Sequence, residues 1–238
     1  MNKFILFFWD YFPPSRNLIR KCLYSTADTI NNLGERVGQM YNDLFSRIGT
    51  SWYDHSFDHL RGISNYHWME RVFFTLDKIK KEDEVLDIGC GDGSFDSLFY
   101  ADKARSIVAI DKDPKAISYA KKHYQRSNVK YITCDITKMK NTNNRYDIIL
   151  MFAVIEHFTK SEGTLLLKNI KKSLKQGGIF FGSTPILNIK GMSNWEHQNE
   201  FASIQDLRSF LLKEFNTVRI KESQWTEGRR ECYFECKV

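Results

Sequence analysis

The chain has no apolar run long enough to cross a membrane as a helix. Its longest, Phe4–Trp9 and Ile148–Ile155, fall far short of the roughly 18 residues that a spanning helix requires. With 13 Gly and 4 Pro among 238 residues, collagen-like, low-complexity and linker-dominated architectures are excluded. No segment repeats, which sets solenoids and propellers aside. There is no CxxC pair, and the five cysteines (Cys22, Cys90, Cys134, Cys232 and Cys236) are odd in number. A disulfide framework is therefore not expected, whereas reduced thiols in the cytoplasm are. A strong basic stripe is also missing: 35 Lys+Arg against 29 Asp+Glu leave a net charge of +6. The densest basic stretches, Lys121-Lys122, Lys168–Lys175 and Arg229-Arg230, interleave with apolar positions and read as solvated faces, so nucleic acid is not an expected partner.

What the chain does have is core material. Hydrophobic residues make up 42%, and 18 Phe, 11 Tyr and 5 Trp are more than a disordered chain carries. The length suits one full domain plus an extension. The start, Met1-Asn2-Lys3 followed by Phe4–Trp9, superficially resembles a signal peptide. Asp10, however, stands where a small-residue cleavage site is needed, so a soluble, unprocessed chain is expected. If exposed, Phe4–Phe12 would be a dense aromatic patch, a candidate for peripheral membrane or partner docking.

The chain divides into an N-terminal helical extension or lid, residues 1–76, and a domain of alternating strands and helices, residues 77–238. Strands are expected at Val85–Ile88, Ser106–Ile110, Val129–Thr133, Tyr146–Met151 and Ile179–Ser183. Helices are expected from about Ser94, from Pro114 to about Arg126, and over 161–176, the last ended by Gly177-Gly178. Such alternation implies a parallel sheet with helices on both faces. After a helix over 203–214, the strands Thr217–Gln224 and Glu231–Lys237 should pair antiparallel around Glu227-Gly228. The fold class is thus α/β, doubly wound, with an antiparallel edge.

Directly after the first strand comes Asp87-Ile88-Gly89-Cys90-Gly91-Asp92-Gly93, whose alternating glycines let the backbone turn tightly and approach a ligand. Asp111 follows at the end of the second strand, where a carboxylate can accept both hydroxyl hydrogens of a ribose. A dinucleotide site would want Gly or Ala where Ser94 stands, and Asp87 is poorly placed beside a pyrophosphate. It is well placed for a positively charged ligand, and S-adenosylmethionine carries an ammonium, a sulfonium and a ribose but no phosphate.

Val85–Gly93 resembles the first motif of class I S-adenosylmethionine-dependent methyltransferases. Later segments are similar to that family's in the same order: Asp111, Cys134-Asp135-Ile136, Tyr146–Ile149, Val154–His157 and Leu174–Gly178. The resemblance implies a seven-stranded, mostly parallel Rossmann-like sheet with an antiparallel last strand. It implies S-adenosyl-L-methionine as cofactor and S-adenosyl-L-homocysteine as product. Gly89, Gly91 and Gly93 should line the methionine and ribose side, Asp135 should meet the adenine amino group, and Met151 and Phe152 should lie near the methionyl group. Asp87, Cys90, Lys112 and Ile136 complete the expected cofactor-binding set.

Methyl transfer is an in-line displacement, so the protein mainly aligns reactants and excludes water, and an oxygen acceptor also needs a general base. His157, just past the fourth strand, and His197, in the loop Pro185–Glu200, are the candidates for that base. A hydrogen bond stabilising the turn or anchoring the loop is the competing role for each. Glu156 is a further candidate. The stretch Trp195–Phe201 resembles the substrate-facing loop of small-molecule and glycan methyltransferases. Tyr53, Tyr66 and His67 are candidate acceptor contacts, with helix packing as the alternative. His55 and His59 beside Asp54 and Asp58 have helical ligand spacing but read better as a polar helix face, so metal-independent transfer is expected.

O-methylation of a small polar molecule or glycan intermediate is the main expectation. Methylation of RNA or protein is the second; it is weakened because Met151-Phe152-Ala153-Val154 stands where amino-group methyltransferases carry Asn/Asp-Pro-Pro-Tyr/Phe. A cofactor-binding scaffold without turnover is the third.

Overall fold

In the computed structural model, residues 13–47, 66–138, 143–187, 196–224 and 230–238 are described. Phe4–Phe12, Tyr53, His55, His59 and Trp195 lie outside them. The chain forms two compact units, Met1–Asn65 and Tyr66–Val238. In the first, helix α1 spans Pro13–Arg47. The second opens with α2, Tyr66–Thr75, of which Tyr66 and His67 are the first residues. Among the described residues, no helix is long and apolar enough to cross a membrane.

The second unit is built on seven strands. These are β1 Glu84–Ile88, β2 Ser106–Asp111, β3 Val129–Thr133, β4 Tyr146–Phe152, β5 Leu174–Pro185, β6 Thr217–Gln224 and β7 Arg230–Lys237. They form one sheet in the order β3-β2-β1-β4-β5-β7-β6. Strands β1 to β5 pair parallel, and β7 pairs antiparallel with both β5 and β6. The expected doubly wound sheet with its antiparallel last strand is therefore present.

The two-residue period of each strand sorts side chains onto the two faces. Leu86, Ile88, Ile149 and Met151 pack with Leu166, Leu167 and Ile170 of α4 (Lys160–Ser173) and Leu207, Phe210 and Leu211 of α5 (Ile204–Leu211). Val85, Ile148, Leu150 and Phe152 face the other way, with Ile117 and Ala120 of α3 (Pro114–His123). Phe74 of α2 joins that face, its ring 5.8 Å from Phe181 and 5.5 Å from Tyr233.

Local chemistry sets the helix starts. Asp113 caps α3 by accepting from the Lys115 N–H at 2.8 Å, with Pro114 at the first helical position. Thr159 and Glu162 make a reciprocal capping box on α4. One boundary differs from the sequence expectation. α4 stops at Ser173, and β5 already begins at Leu174, so Gly177 and Gly178 lie inside a strand instead of ending a helix. Lys175 pairs with Glu84 at 3.0 Å and Asp147 at 2.7 Å, which holds this stretch against the starts of β1 and β4. Pairing jumps from Tyr146↔Leu174 to Ile148↔Ile179, and Gly177, at φ +76°, lies in the intervening bulge.

Candidate functional site

The glycine turn sits at the carboxyl end of β1, where ligands bind in open α/β sheets. The Gly89 and Cys90 amides both donate to the Ile110 carbonyl, at 2.7 and 3.0 Å, tying the turn to β2. A side chain on Gly89 (φ +78°) would stand 2.3 Å from Val154 Cγ2, so the turn packs directly on the segment leaving β4. Gly93 (φ +74°) is closed off by Tyr131, whose ring would lie 2.4 Å from an added Cβ and whose hydroxyl donates to the Gly93 carbonyl at 3.0 Å.

Asp111 is held open at the end of β2. One carboxylate oxygen accepts from Gly91 N–H at 3.0 Å and the other from Asp113 N–H at 2.9 Å. Each oxygen keeps a second lone pair for a ligand hydroxyl. Asp87 is buried beside Asp96, which follows in a π-helical turn, Asp96–Tyr100. Burial pushes Asp87 up to about 7; Arg71 and a hydrogen bond with Asp96 oppose this, and the charge of Asp111 adds to it. Asp96 is raised well above the carboxylate range, first by burial and then by Asp87. Burial thus favours the protonated form of Asp96, and the charge of Asp87 reinforces this. Burial also pushes the Cys90 thiol up, which leaves it inert.

Sequence reasoning did not find Arg71. On α2, its guanidinium lies over the Phe95 ring at 4.5 Å and near Phe152 at 5.7 Å, and its charge reaches Asp87. Nothing in the local sequence marks it, because α2 precedes the glycine turn and reaches it only through the fold. Ala153 is a second such residue, at φ +54° just past Phe152. A non-glycine residue in that region is strained, and such strain gathers at binding sites.

Asp135 is bonded to its own loop: one oxygen accepts from the Thr137 N–H at 3.0 Å and the Thr137 hydroxyl at 2.7 Å. These bonds hold it below the usual carboxylate range. Ile136 is buried and Lys112 is exposed. Met151 and Phe152 end β4, paired with Gly182 and Ser183.

Beyond Ala153, the short 3₁₀ turn Ile155–His157 meets the loop before α5. The Glu156 carbonyl accepts from Gln198 N–H at 2.8 Å and Asn199 N–H at 3.0 Å, so backbone alone clasps loop to turn. This brings together Glu156, His157 and His197, whose ligand-capable atoms all lie within 4.8 Å of one another. The two imidazoles meet edge to face at 5.0 Å. His197 Nδ1 is 2.6 Å from Glu200 Oε1, a buried carboxylate. Burial, then the neighbouring His197, draws His157 below its ordinary value, against a hydrogen bond with the Glu196 backbone; Lys112 lowers it further. His157 is therefore neutral at neutral pH. The two histidines expected as alternatives form one cluster.

A hollow of about 540 Å³ lined by Lys168, Lys171, Lys172 and Lys175 lies at the other end of the sheet, where β5 begins. It is separate from this site.

A sheet of this order, with a glycine turn after β1 and an acid ending β2, defines the Rossmann-like methyltransferase class of fold. Residues 85–178 match the family model described as a methyltransferase domain. A tRNA U34 carboxymethyltransferase from Campylobacter fetus is 26% identical over 176 residues, covering 62% of this chain and 60% of that protein. A ubiquinone biosynthesis O-methyltransferase from Pelagibacter ubique is 30% identical over 154 residues, covering 60% and 62%. The chain thus spans less than two thirds of the length of either. The crystal structure of N-methyltransferase NodS from Bradyrhizobium japonicum, solved with S-adenosyl-L-homocysteine, superposes with a TM-score of 0.58 at 18% identity, over 81% of this chain and 91% of that one. Residues 85–178 are thus similar to a methyltransferase domain, and the sheet around them has the fold of that solved methyltransferase. The residues present fit S-adenosylmethionine: two buried carboxylates and an arginine stand around a turn whose glycines admit no side chain at positions 89 and 93.

Proposed function

We propose that this protein methylates an oxygen of a small polar molecule or glycan intermediate, using S-adenosylmethionine. The observation that carries this reading is the convergence of Glu156, His157 and His197 just past the strand end that adjoins the glycine turn. The cofactor supplies a methyl group on a sulfonium, which needs no further activation. The chain's own residues do the rest. Asp111 takes the ribose hydroxyls while its other lone pairs stay on the Gly91 and Asp113 amides. Asp87 meets the ammonium, and Arg71 meets the methionyl carboxylate. Glu200 accepts from the His197 Nδ1–H, which leaves Nε2 with a lone pair directed away from it, ready to take the acceptor's proton. Neutral His157 adds no repelling charge beside it.

Several relatives are named as O-methyltransferases, which supports an oxygen acceptor; among them is a malonyl-[acyl-carrier protein] O-methyltransferase from Acetivibrio thermocellus that is 34% identical over 103 residues. The Campylobacter tRNA-modifying relative keeps an RNA acceptor as the second reading. Formation of S-adenosylhomocysteine is measured with phenols, sugar derivatives, acyl-carrier thioesters and tRNA as acceptors. Turnover with a hydroxyl or carboxyl compound, reduced about 10²–10⁴-fold in His197→Ala, supports the proposal. Turnover with tRNA alone supports the second reading, and no turnover with any acceptor returns the scaffold.

A further inference from the structure

We propose that Glu156, His157 and His197 form a binding site for one divalent transition-metal cation. Two imidazoles and one carboxylate are a donor set that Zn²⁺, Co²⁺ and related ions accept, with coordination positions left over for a ligand. The three residues come from two chain segments, and the backbone clasp of Gln198 and Asn199 onto the Glu156 carbonyl holds those segments in register without using any of the three side chains. Small side-chain rotations draw ligand atoms lying within 4.8 Å of one another to the roughly 3.4 Å edge of a tetrahedral zinc site.

A second observation is independent of that clustering. Each imidazole already has an outer partner on one ring nitrogen: Glu200 for His197, and the Glu196 backbone for His157. Metal-binding histidines have this arrangement, because a carboxylate or carbonyl on one nitrogen fixes the tautomer and presents the lone pair of the other. Glu156 is 1% exposed and His197 9% exposed, so water competes weakly at the site. Val154, two residues before Glu156, packs against Gly89 of the glycine turn, so the cation would sit beside the cofactor end of the sheet. There its open positions would take an oxygen donor of the acceptor. This consequence rests on the methyl-transfer reading: with the cation bound, its charge would lower the pKa of the acceptor hydroxyl, the work that the Nε2 of His197 does as base when the site is empty. It runs against the sequence expectation of metal-independent transfer, and the titration below decides between them.

The experiment titrates EDTA-stripped full-length protein, saturated with S-adenosylhomocysteine, with Co²⁺. Visible d–d absorption and metal analysis after gel filtration are followed, with Zn²⁺ as competitor. One equivalent of bound Co²⁺, displaced by Zn²⁺, is expected. His157→Ala, His197→Ala and Glu156→Gln should each lose it, and Glu200→Gln should weaken it about 10–100-fold. Retained thermal stabilisation by S-adenosylhomocysteine shows that each variant is folded. No stoichiometric binding to wild type, or binding that survives in the His157→Ala/His197→Ala double variant, overturns the proposal. Wild type that takes up S-adenosylhomocysteine but no cation loses this inference and keeps the methyl-transfer reading; wild type that takes up the cation but no cofactor does the reverse.

Discussion

Asp87 and Asp111 are both buried acids at the rim of one site, yet their surroundings prepare them for different work. Asp111 spends its charge on two backbone amides and stays available to hydroxyls. Burial instead lifts Asp87 to about 7, so near neutral pH it is protonated in part until a cation arrives. The sign for ligand binding follows. A cationic ligand binds the ionised carboxylate, so its affinity rises as pH rises towards about 7 and levels off above it. Isothermal titration with S-adenosylhomocysteine between pH 5.5 and 8 should show binding weakening by up to about tenfold per pH unit on the acid side. A flat profile would remove Asp87 from the ammonium site. Asp87, Asp111 and the glycines were legible in the sequence because the motif is local. Asp96, Arg71 and Glu200 were not, since each acquires its role from a neighbour brought by packing. Glu200 shows the difference: it lay in a segment already marked for His197, but the 2.6 Å contact is visible only in three dimensions.

Among the elements, the glycine turn depends on β3 as much as on β1. Tyr131, from the middle of β3, seals Gly93 with its ring and bonds its carbonyl. Gly93→Ala combines a left-handed backbone with a clash against a buried ring, so a loss of at least about 2 kcal/mol in denaturant unfolding is expected. An unchanged midpoint would mean that the turn relaxes freely. Thr159→Ala removes one half of the capping box on α4 and should cost about 1 kcal/mol, without altering cofactor affinity. Strand positions were readable from apolar runs between turn signals, and the ends of α4 and β5 were not. The Gly177-Gly178 pair has the chemistry of a helix stop, but Lys175, held by Glu84 and Asp147, commits the preceding residues to the sheet. A glycine pair looks the same in sequence whether it ends a helix or forms a bulge in a strand.

At the scale of the whole molecule, every described residue assigned to the cofactor belongs to the unit Tyr66–Val238. That unit contains the whole sheet and both faces of the core. A chain beginning at Tyr66 should therefore unfold cooperatively and retain cofactor affinity, and its aggregation or loss of binding would show that residues 1–65 complete the site. The sheet order was legible in outline because alternating strands and helices allow few topologies. The meeting of His157 with His197 was not, because it depends on how the loop before α5 folds back over the end of β4. The most direct measurement is a thermal-shift series with S-adenosylhomocysteine, S-adenosylmethionine and NAD on wild type and Asp111→Ala. At about 100 times its dissociation constant, a bound ligand adds about 2.7 kcal/mol, a rise of several degrees for a chain of this size. The account predicts that both sulfur nucleosides raise the midpoint of wild type, that NAD does not, and that Asp111→Ala abolishes the rise. An equal response to NAD, or no response to any of the three, would contradict it.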